Sequence, residues 1–363
     1  MAMHIDLDRE IPKVTTDSER QYQPAETVER AKEALARLGL ELELESRGFG
    51  EFFWLSWLNC DPASWLPAWA TSLRIGGKGP SQDQSQASCA MELVERLSLY
   101  RHLEHKPGRQ RVWDLRAERW LEMEASPELN DTRCTAAGNA YEDALLHALQ
   151  ELVETRSAGA LPWAPVRLVP LDELPTPYPR WVREGFAVLS LPTSRPELHH
   201  LLALRSPDNR RFDPDHPRRM VAAGGYILSS DWRPPRNHHS PNSGSAAGLC
   251  PDACAQRAIG EALQADPTFP TASRRDPPPR IAHASPDVLT SHATDSITGD
   301  IRRLLSLLGD EVFVGVIDVT DPVLGVPVVK LISDYDPSLS YASRAVMDLF
   351  FELDGRRPLV DQA

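Results

Sequence analysis

Three segments of the sequence carry polar residues at one shared helical spacing, and this repetition constrains the fold more than any other feature. In each segment the polar residues stand at positions i, i+4 and i+7. These positions fall on one side of an α-helix, because each residue turns the chain by about 100°. We therefore predict three helices, over about 85–100, 140–156 and 252–264. Their polar sets are Ser88, Glu92 and Glu95; His147, Glu151 and Glu154; and Arg257, Glu261 and Gln264.

The rest of each segment is almost free of charge. The first helix adds only Arg96, which flanks the polar set, and the third adds no charged residue over 253–264. The second adds Glu142 and Asp143 in its first turn, where the helix dipole favours carboxylates. A solvated helix normally carries charges over a broad polar face. The pattern therefore indicates buried helices.

The cost of burying carboxylates restricts the kinds of site that these helices can form. A single Glu–Arg pair at helical spacing is usually a solvated salt bridge. On buried helices, however, carboxylates are costly unless cations or metals pair with them. Mg²⁺ takes oxygen ligands together with substrate phosphates, and Arg96 and Arg257 suit phosphate oxygens. The chemistry therefore predicts an ATP–magnesium site.

Two short glycine-containing segments precede the first two helices. Gly76-Gly77-Lys78-Gly79 lacks the GxxxxGK[ST] spacing of a phosphate loop, so both a plain turn and a nucleotide contact stay open. Asn139 follows Gly138 directly before the second helix. It is either an N-cap or a ligand.

The remaining pattern mixes helices and strands without a clean βαβ alternation. We predict further helices over 27–38 and 300–308, and strands over Val312–Val319 and Val326–Ile332 joined by a turn. Residues 160–250 are rich in proline and predicted to be loop-rich, with a long surface loop over 205–219. We expect an α+β fold, with a polar segment over 1–24 and a single domain over 25–363.

Composition excludes several classes of function. The formal net charge of the 363 residues is −13, which repels phosphate backbones and argues against a nucleic-acid partner. The first twelve residues contain no apolar signal region, and the most apolar early run, Phe52–Leu58, is too short to span a membrane. We expect a soluble, cytoplasmic protein without a membrane partner.

The cysteines do not suggest a disulfide or zinc framework. There are five of them, an odd number, and no CxxC pair occurs. Buried free thiols are the expected state. The five are Cys60, Cys89, Cys134, Cys250 and Cys254.

Four blocks of the sequence resemble the YcaO family and stand in the family's order. GKGPSQDQSQASCAMELVERLS (77–98) is similar to its GKG…S…ME..ER block, and GNAYEDALLHALQELVETRSA (138–158) to its GNT-type block with ALxExxER. CPDACAQRAIGEALQ (250–264) is similar to RALxEAxQ, and VIDVTDPVLGVPVVKLI (316–332) to the paired strands with DxT and GxPV.

The resemblance implies one α+β domain around a nucleotide cavity, with ATP and Mg²⁺ as cofactors. The residues expected at magnesium are Glu92, Glu95, Asp143, Glu151 and Glu154. Those expected at ATP are Lys78, Ser88, Arg96, Asn139, Arg257, Glu261 and Gln264, of which Arg96 is assigned by its chemistry. No catalytic residue is assigned.

The resemblance also implies a reaction and a substrate class. Members activate a backbone amide of a precursor peptide or protein: after a nucleophile adds to the carbonyl, the oxyanion attacks the γ-phosphate of ATP, and phosphate then departs. Sulfide gives a thioamide, a neighbouring Cys or Ser side chain an azoline, and an amine an amidine.

Departures from the family pattern guide the choice among these products. Thr155 stands where the family usually has Arg, and 160–250 matches poorly. The C-terminal GRRPLVDQA lacks the PxPxP run of azoline-forming cyclodehydratases, which favours the non-azoline branch, including thioamidation with a TfuA-like partner. An E1-like partner would instead accompany azoline formation, and a homodimer stays open.

Two functions of other classes also stay open. One is a degenerate relative that only docks a precursor peptide, a reading that Thr155 supports. The other is an unrelated carboxylate–amine ligase with a Glu-rich Mg–ATP site.

Overall fold

Helices and strands are mixed along the chain in the computed structural model, which confirms the predicted α+β class. The structure describes residues 3–14, 19–59, 75–105, 108–124, 132–160, 167–191, 193, 195–205, 243–265, 289–310 and 312–334. Two compact units emerge from its contacts. Unit 1 comprises Met1–Val153 and Ala293–Tyr335, and unit 2 comprises Glu154–His292 and Asp336–Ala363. A single domain over 25–363 stays a prediction.

Unit 1 contains two antiparallel sheets. The first has the order β1-β2-β3 and the second the order β5-β4-β11-β12-β6. Its helices are α1 (Pro24–Ala36), α2 (Gln82–Glu104), α6 (Ile297–Leu308) and most of α3 (Tyr141–Ala160). The strands are β1 (Leu44–Phe49), β2 (Phe53–Leu58), β3 (Gly76–Gly79), β4 (Arg109–Asp114), β5 (Arg119–Glu124), β6 (Thr135–Ala137), β11 (Val314–Asp318) and β12 (Val328–Ser333).

Helix α2 lies in the core of unit 1, as the near absence of charge outside its polar set predicted. Cys89, Ala90, Leu93 and Val94 have no exposed surface, and they pack with α1 and the adjoining strands. The helix begins three residues earlier than predicted, because the side chain of Ser81 accepts the N–H of Gln84 at 3.1 Å. α2 therefore holds its polar residues at fixed positions within a rigid core.

The C-terminal elements of unit 1 agree with the sequence prediction. Helix α6 is capped by Ser296 and ends at Gly309, whose φ of 89° is favourable only for glycine. The strands β11 and β12 pair antiparallel, as expected. Asp321 closes their connection by accepting the N–H groups of Val323 and Leu324.

Unit 2 contains a four-stranded antiparallel sheet of order β10-β9-β8-β7, on which helix α5 packs. Its elements are β7 (Arg167–Leu168), α4 (Arg180–Gly185), β8 (Phe186–Leu191), β9 (His199–Arg205), β10 (Ser243–Gly248) and α5 (Pro251–Ala265). The strands β8 and β9 lie in the stretch that the sequence predicted as loop-rich. The surface loop predicted over 205–219 lies outside the described residues after Arg205.

In the part of the chain that the structure describes, no helix is both long and apolar enough to cross a membrane.

Candidate functional site

Two carboxylates of α2 lie beside one arginine. Glu92 accepts the backbone N–H of Gly76 at 3.2 Å through Oε2, and its Oε1 lies 3.5 Å from Nη2 of Arg96. Glu95 is 8% exposed, and its Oε1 lies 3.4 Å from Nη1 of Arg96. Glu92, Glu95 and Arg96 therefore form a compact group of two acidic residues and one basic residue on one side of α2.

Glu151 of α3 joins this group. It accepts the N–H of Cys134 at 2.6 Å through Oε2, while its Oε1 lies 3.6 Å from Nε2 of His147. Burial opposes ionisation of Glu151, but the hydrogen bond and charge of His147 and the N–H of Cys134 together lower its pKa. Glu151 is therefore held as a carboxylate within unit 1. We call Glu92, Glu95 and Glu151 the carboxylate cluster.

Burial makes the carboxylate cluster costly to keep ionised. Burial raises the pKa of Glu95 well above its usual value, and the charges of Glu151 and Glu92 raise it further against the opposing effect of Arg96. Burial also raises the pKa of Glu92, although Arg96 and Lys78 oppose the change. A bound cation would relieve this repulsion.

Arg96 has donors available for a ligand. Burial lowers its pKa, but Glu95 and Glu92 outweigh that effect, so the guanidinium stays charged. Among the described residues, no acceptor meets hydrogen-bond geometry with its buried Nε and Nη1. Guanidinium donors of this kind fit phosphate oxygens.

Two lysines contribute positive charge near the cluster. Lys78, a predicted ATP contact, is half-buried on β3, and its charge lowers the pKa of Glu92. Lys330 on β12 is 2% exposed and donates to the carbonyl of Arg133, and its charge lowers the pKa of Glu95. Lys330 was not among the residues predicted from the sequence. The signal was present, because it is the only charged residue in the apolar strand Val328–Ser333.

The segment around Lys78 is a strand and not the plain turn that the sequence left open, while the nucleotide contact of Lys78 stays a prediction. It forms strand β3, which pairs with β2. A Cβ on Gly77 would stand 1.9 Å from the carbonyl oxygen of Ser85 and 2.2 Å from the nitrogen of Cys89. The glycine is required because β3 approaches the backbone of α2 so closely.

The cluster fits magnesium as an open site. Among the described residues, no three His, Cys, Asp or Glu side chains form a group that could hold a metal ion by themselves. Mg²⁺ normally binds through one or two carboxylates, completed by waters and substrate phosphates, so three protein ligands are not required. The donors of the cluster are carboxylate oxygens, which Mg²⁺ prefers, and burial raises the pKa of Glu95.

Two predicted ligands lie instead at the start of α3. Asp143, with a side chain 1% exposed, accepts the N–H of Asn139 at 3.1 Å, and Asn139 donates to Thr27 Oγ1 at 2.9 Å. Asp143 precedes Glu151 by eight residues, or about 12 Å of helix. Both residues stabilise the helix start. Oδ1 of Asp143 is buried without a hydrogen-bond partner among the described residues, and the roles of both residues at magnesium and ATP stay predictions. Ser88 is half-buried on α2, one turn before Glu92.

Unit 2 brings together another part of the predicted set. Ser245 of β10 donates its N–H to Glu261 at 3.1 Å, and its hydroxyl donates to Glu154. Arg257 of α5 contacts the carbonyl of Ala247 at 3.4 Å, and Gln264 is half-buried on the same helix. Sequence reasoning missed Ser245.

Close packing of β10 on α5 fixes the position of Ser245. A Cβ on Gly244 would stand 2.3 Å from the carbonyl oxygen of Ala258 and 2.4 Å from Cβ of Glu261. The unbroken run of small residues in SGSAAG was the available signal that β10 approaches a helix closely. That all the predicted carboxylates share one cavity stays a prediction.

The cysteines agree with the expected free thiols where they are described. Cys89, Cys134, Cys250 and Cys254 are free, and Cys60 lies outside the described residues.

Comparisons with known proteins agree with this fold. The structure of YcaO from Methanopyrus kandleri bound with AMPPCP and Mg²⁺ matches with a TM-score of 0.61 and 18% identity, over 97% of this chain and 99% of that one. A heterocyclase in complex with substrate and cofactor also gives 0.61 and 18%, over 90% of this chain. This chain spans about half of that heterocyclase, 53% of its length. No curated protein sequence matches significantly.

A family model decides the assignment. The model of the YcaO cyclodehydratases, described as binding ATP and Mg²⁺, matches residues 118–333. That span includes residues 160–250, whose resemblance to the family motifs is poor, and it begins after the block at 77–98. Because the match covers more than half of the sequence, the chain belongs to the YcaO family, whose enzymes modify peptide backbones with ATP.

Proposed function

We propose that this protein uses ATP and Mg²⁺ to phosphorylate the oxygen of a peptide backbone amide in a precursor peptide or protein. The observation that carries the proposal is the convergence of Glu92, Glu95 and Glu151 beside Arg96. Three buried carboxylates beside one another are costly to keep ionised, and structural support alone explains this cost poorly.

Each charged group has a distinct task in this proposal. Bound Mg²⁺ supplies positive charge to the phosphate oxygens during transfer. Glu92 and Glu95 of α2 and Glu151 of α3 would surround the ion, and one or two of these carboxylates would ligate it directly. Arg96 donates its unbonded N–H groups to a phosphate oxygen. Lys330 limits the repulsion at Glu95 before the nucleotide binds.

The predicted roles of Glu154, Arg257, Glu261 and Gln264 of unit 2 at magnesium and ATP stay part of the proposal. Glu154 and Glu261 are both held by Ser245, so their carboxylates have defined positions. The structure from Methanopyrus kandleri, which has the same fold, was obtained with a nucleotide analogue and Mg²⁺. That precedent supports the proposal for the family's fold.

Thioamide formation is the product we propose first, following the sequence resemblance. Azoline and amidine formation are the alternatives, since the activated amide is common to all three. The partner would be TfuA-like for thioamidation and E1-like for azoline formation. Mass spectrometry of the product peptide separates the outcomes: exchange of oxygen for sulfur marks a thioamide, and loss of one water marks an azoline.

Peptide-dependent ATP hydrolysis tests the proposed function. The purified chain should hydrolyse ATP with Mg²⁺ only when a peptide substrate is present, and Glu92→Gln should abolish turnover without unfolding the protein. A docking protein would hydrolyse no ATP with any peptide. A small-molecule ligase would hydrolyse it with a carboxylate and an amine in the absence of peptide. Either result would contradict the proposal.

A further inference from the structure

His147 is the one member of the three polar sets without a predicted role. It lies on α3 one turn before Glu151, and its side chain is 31% exposed although its neighbours Leu146 and Ala148 are buried. Its two ring nitrogens face different residues. Nε2 lies 3.6 Å from Oε1 of Glu151, and Nδ1 lies 3.4 Å from Nη2 of Arg20. The imidazole therefore stands between an arginine and a member of the carboxylate cluster.

The contact with Arg20 decides which ring nitrogen carries the hydrogen. A guanidinium has N–H donors and no acceptor, so Nδ1 of His147 must be the nitrogen that accepts. In a neutral imidazole the other nitrogen then carries the hydrogen. Nε2–H of His147 consequently faces Oε1 of Glu151 as a donor. Burial opposes ionisation of Glu151, and the hydrogen bond from His147 is the largest of the effects that lower its pKa.

Neighbouring contacts hold Arg20 beside α3. Gln150 donates from Nε2 to Oε1 of Glu19 at 2.7 Å, and Nη1 of Arg20 lies 3.9 Å from Oδ1 of Asp143. Asp143, His147 and Gln150 stand at i, i+4 and i+7, so residues 19 and 20 lie along one side of the helix. The position of the guanidinium is therefore fixed by more than its contact with the imidazole.

Both carboxylate oxygens of Glu151 face a donor. Oε2 accepts the N–H of Cys134 at 2.6 Å, while Oε1 faces Nε2 of His147. A carboxylate held at one oxygen can still rotate, because the last torsion of a Glu side chain has broad minima. A second donor on the other oxygen limits this rotation, and each oxygen keeps a lone pair for a cation. Groups that orient metal ligands in this way typically raise the affinity for the metal by about 10- to 100-fold.

We propose that His147 is a positioning residue for Glu151: its Nε2–H, selected by the contact of Arg20 with Nδ1, orients the Glu151 carboxylate to receive Mg²⁺. The inference rests on the proposed function, because it concerns the magnesium side of the same site. His147 does not ligate the ion, since each of its nitrogens already faces another side chain. A purely structural role would change the stability of the fold and leave the affinity for the ion unchanged.

Nitrogen NMR of histidine-labelled protein, recorded without nucleotide at alkaline pH, tests the tautomer. The signals of His147 are identified by their absence in His147→Gln. Nδ1 should have the chemical shift of an unprotonated nitrogen, and Nε2 that of a protonated one. In Arg20→Met the two shifts should move towards each other, because no guanidinium then selects one tautomer. A wild-type ring that carries its hydrogen on Nδ1 would overturn the inference.

Calorimetric titration of Mg²⁺ into protein with AMPPCP tests the effect on the ion. His147→Leu removes both ring contacts, so its affinity for Mg²⁺ should fall about tenfold or more. His147→Gln keeps one donor and one acceptor in its amide and should recover most of that loss. The control is His105→Leu, because His105 is exposed at the end of α2. It should bind Mg²⁺ like the wild type.

Melting temperatures show which variants are folded, and His147→Ala replaces His147→Leu if the latter unfolds. Wild-type affinity in the Leu or Ala variant, or an equal loss in His147→Gln, would overturn the inference. Because the NMR measurement needs no nucleotide, it succeeds or fails separately from the proposed function. A wild-type protein with the Nε2–H tautomer that binds no Mg²⁺ with AMPPCP would contradict the proposed function, and the role of His147 at Mg²⁺ with it.

Discussion

Oε1 of Glu95 lies 3.4 Å from Nη1 of Arg96, yet the pKa of Glu95 is raised well above its usual value. Burial is the largest cause, and the charges of Glu151 and Glu92 add to it. Arg96 therefore only partly offsets the effects that raise this pKa. In the metal-free protein the ionised form of Glu95 is costly, and a divalent cation would reduce that cost.

Replacing Glu95 with Gln should stabilise the metal-free protein at neutral pH. The wild-type free energy of unfolding falls as pH rises from the unfolded-state pKa of about 4.5 to the raised folded value, because the unfolded chain loses its proton first. Gln removes this loss, so we expect a gain on the order of 1 kcal/mol. Urea unfolding with EDTA measures it. Glu29→Gln on the exposed face of α1 is the control and should change little. A less stable Glu95→Gln protein would contradict the account of the cluster.

Helical spacing was sufficient to predict that Glu92 and Glu95 lie on the same side of α2. Residues at i, i+4 and i+7 must lie on one side of a helix, so Glu92 and Glu95 were fixed relative to each other before any fold was known. Lys330 and Ser245 could not be found in this way. Each stands on a strand distant in sequence from its carboxylate, and only long-range packing brings them together.

The strands of unit 2 were hidden for a related reason. Val188 and Leu189 of β8 are buried on successive residues, so this strand lacks the two-residue period that identifies a half-exposed strand. The role of Asp143 is ambiguous for a different reason. A carboxylate near the start of a helix serves equally well as a cap or as a ligand, and sequence alone does not separate these roles.

The contact of β3 with α2 should tolerate no side chain at Gly77. A Cβ there would stand 1.9 Å from the carbonyl oxygen of Ser85, so strand or helix must move. We expect Gly77→Ala to destabilise the protein by about 3 kcal/mol or more. Gly108→Ala is the matched control, since a Cβ there meets no atom within 4 Å. Similar melting temperatures for the two variants would refute this close packing.

Acid should destabilise unit 2 through two buried histidines. Burial lowers the pKa of His200 to about 4 and that of His199 to about 4. Their stabilising contribution is complete above the unfolded-state pKa of about 6.5 and is lost as pH falls towards 4. His200→Leu should reduce the dependence by up to about 1.4 kcal/mol per pH unit, because no proton is then taken up on unfolding.

Urea unfolding at several pH values between 4 and 7 measures this dependence. The control is His4→Gln, because His4 is exposed and its replacement should leave the slope unchanged. An unchanged slope in His200→Leu would show that His200 is not the group responsible.

Calorimetric titration with AMPPCP, in the absence of a peptide, tests most directly whether the carboxylate cluster holds Mg²⁺ with ATP. Wild-type protein should bind the analogue with Mg²⁺ and lose binding with EDTA, because unshielded carboxylates repel the phosphates. Glu92→Gln keeps the shape but removes a charge, so its affinity with Mg²⁺ should fall about tenfold or more at an unchanged melting temperature. Equal binding with EDTA, or wild-type affinity in Glu92→Gln, would contradict the account.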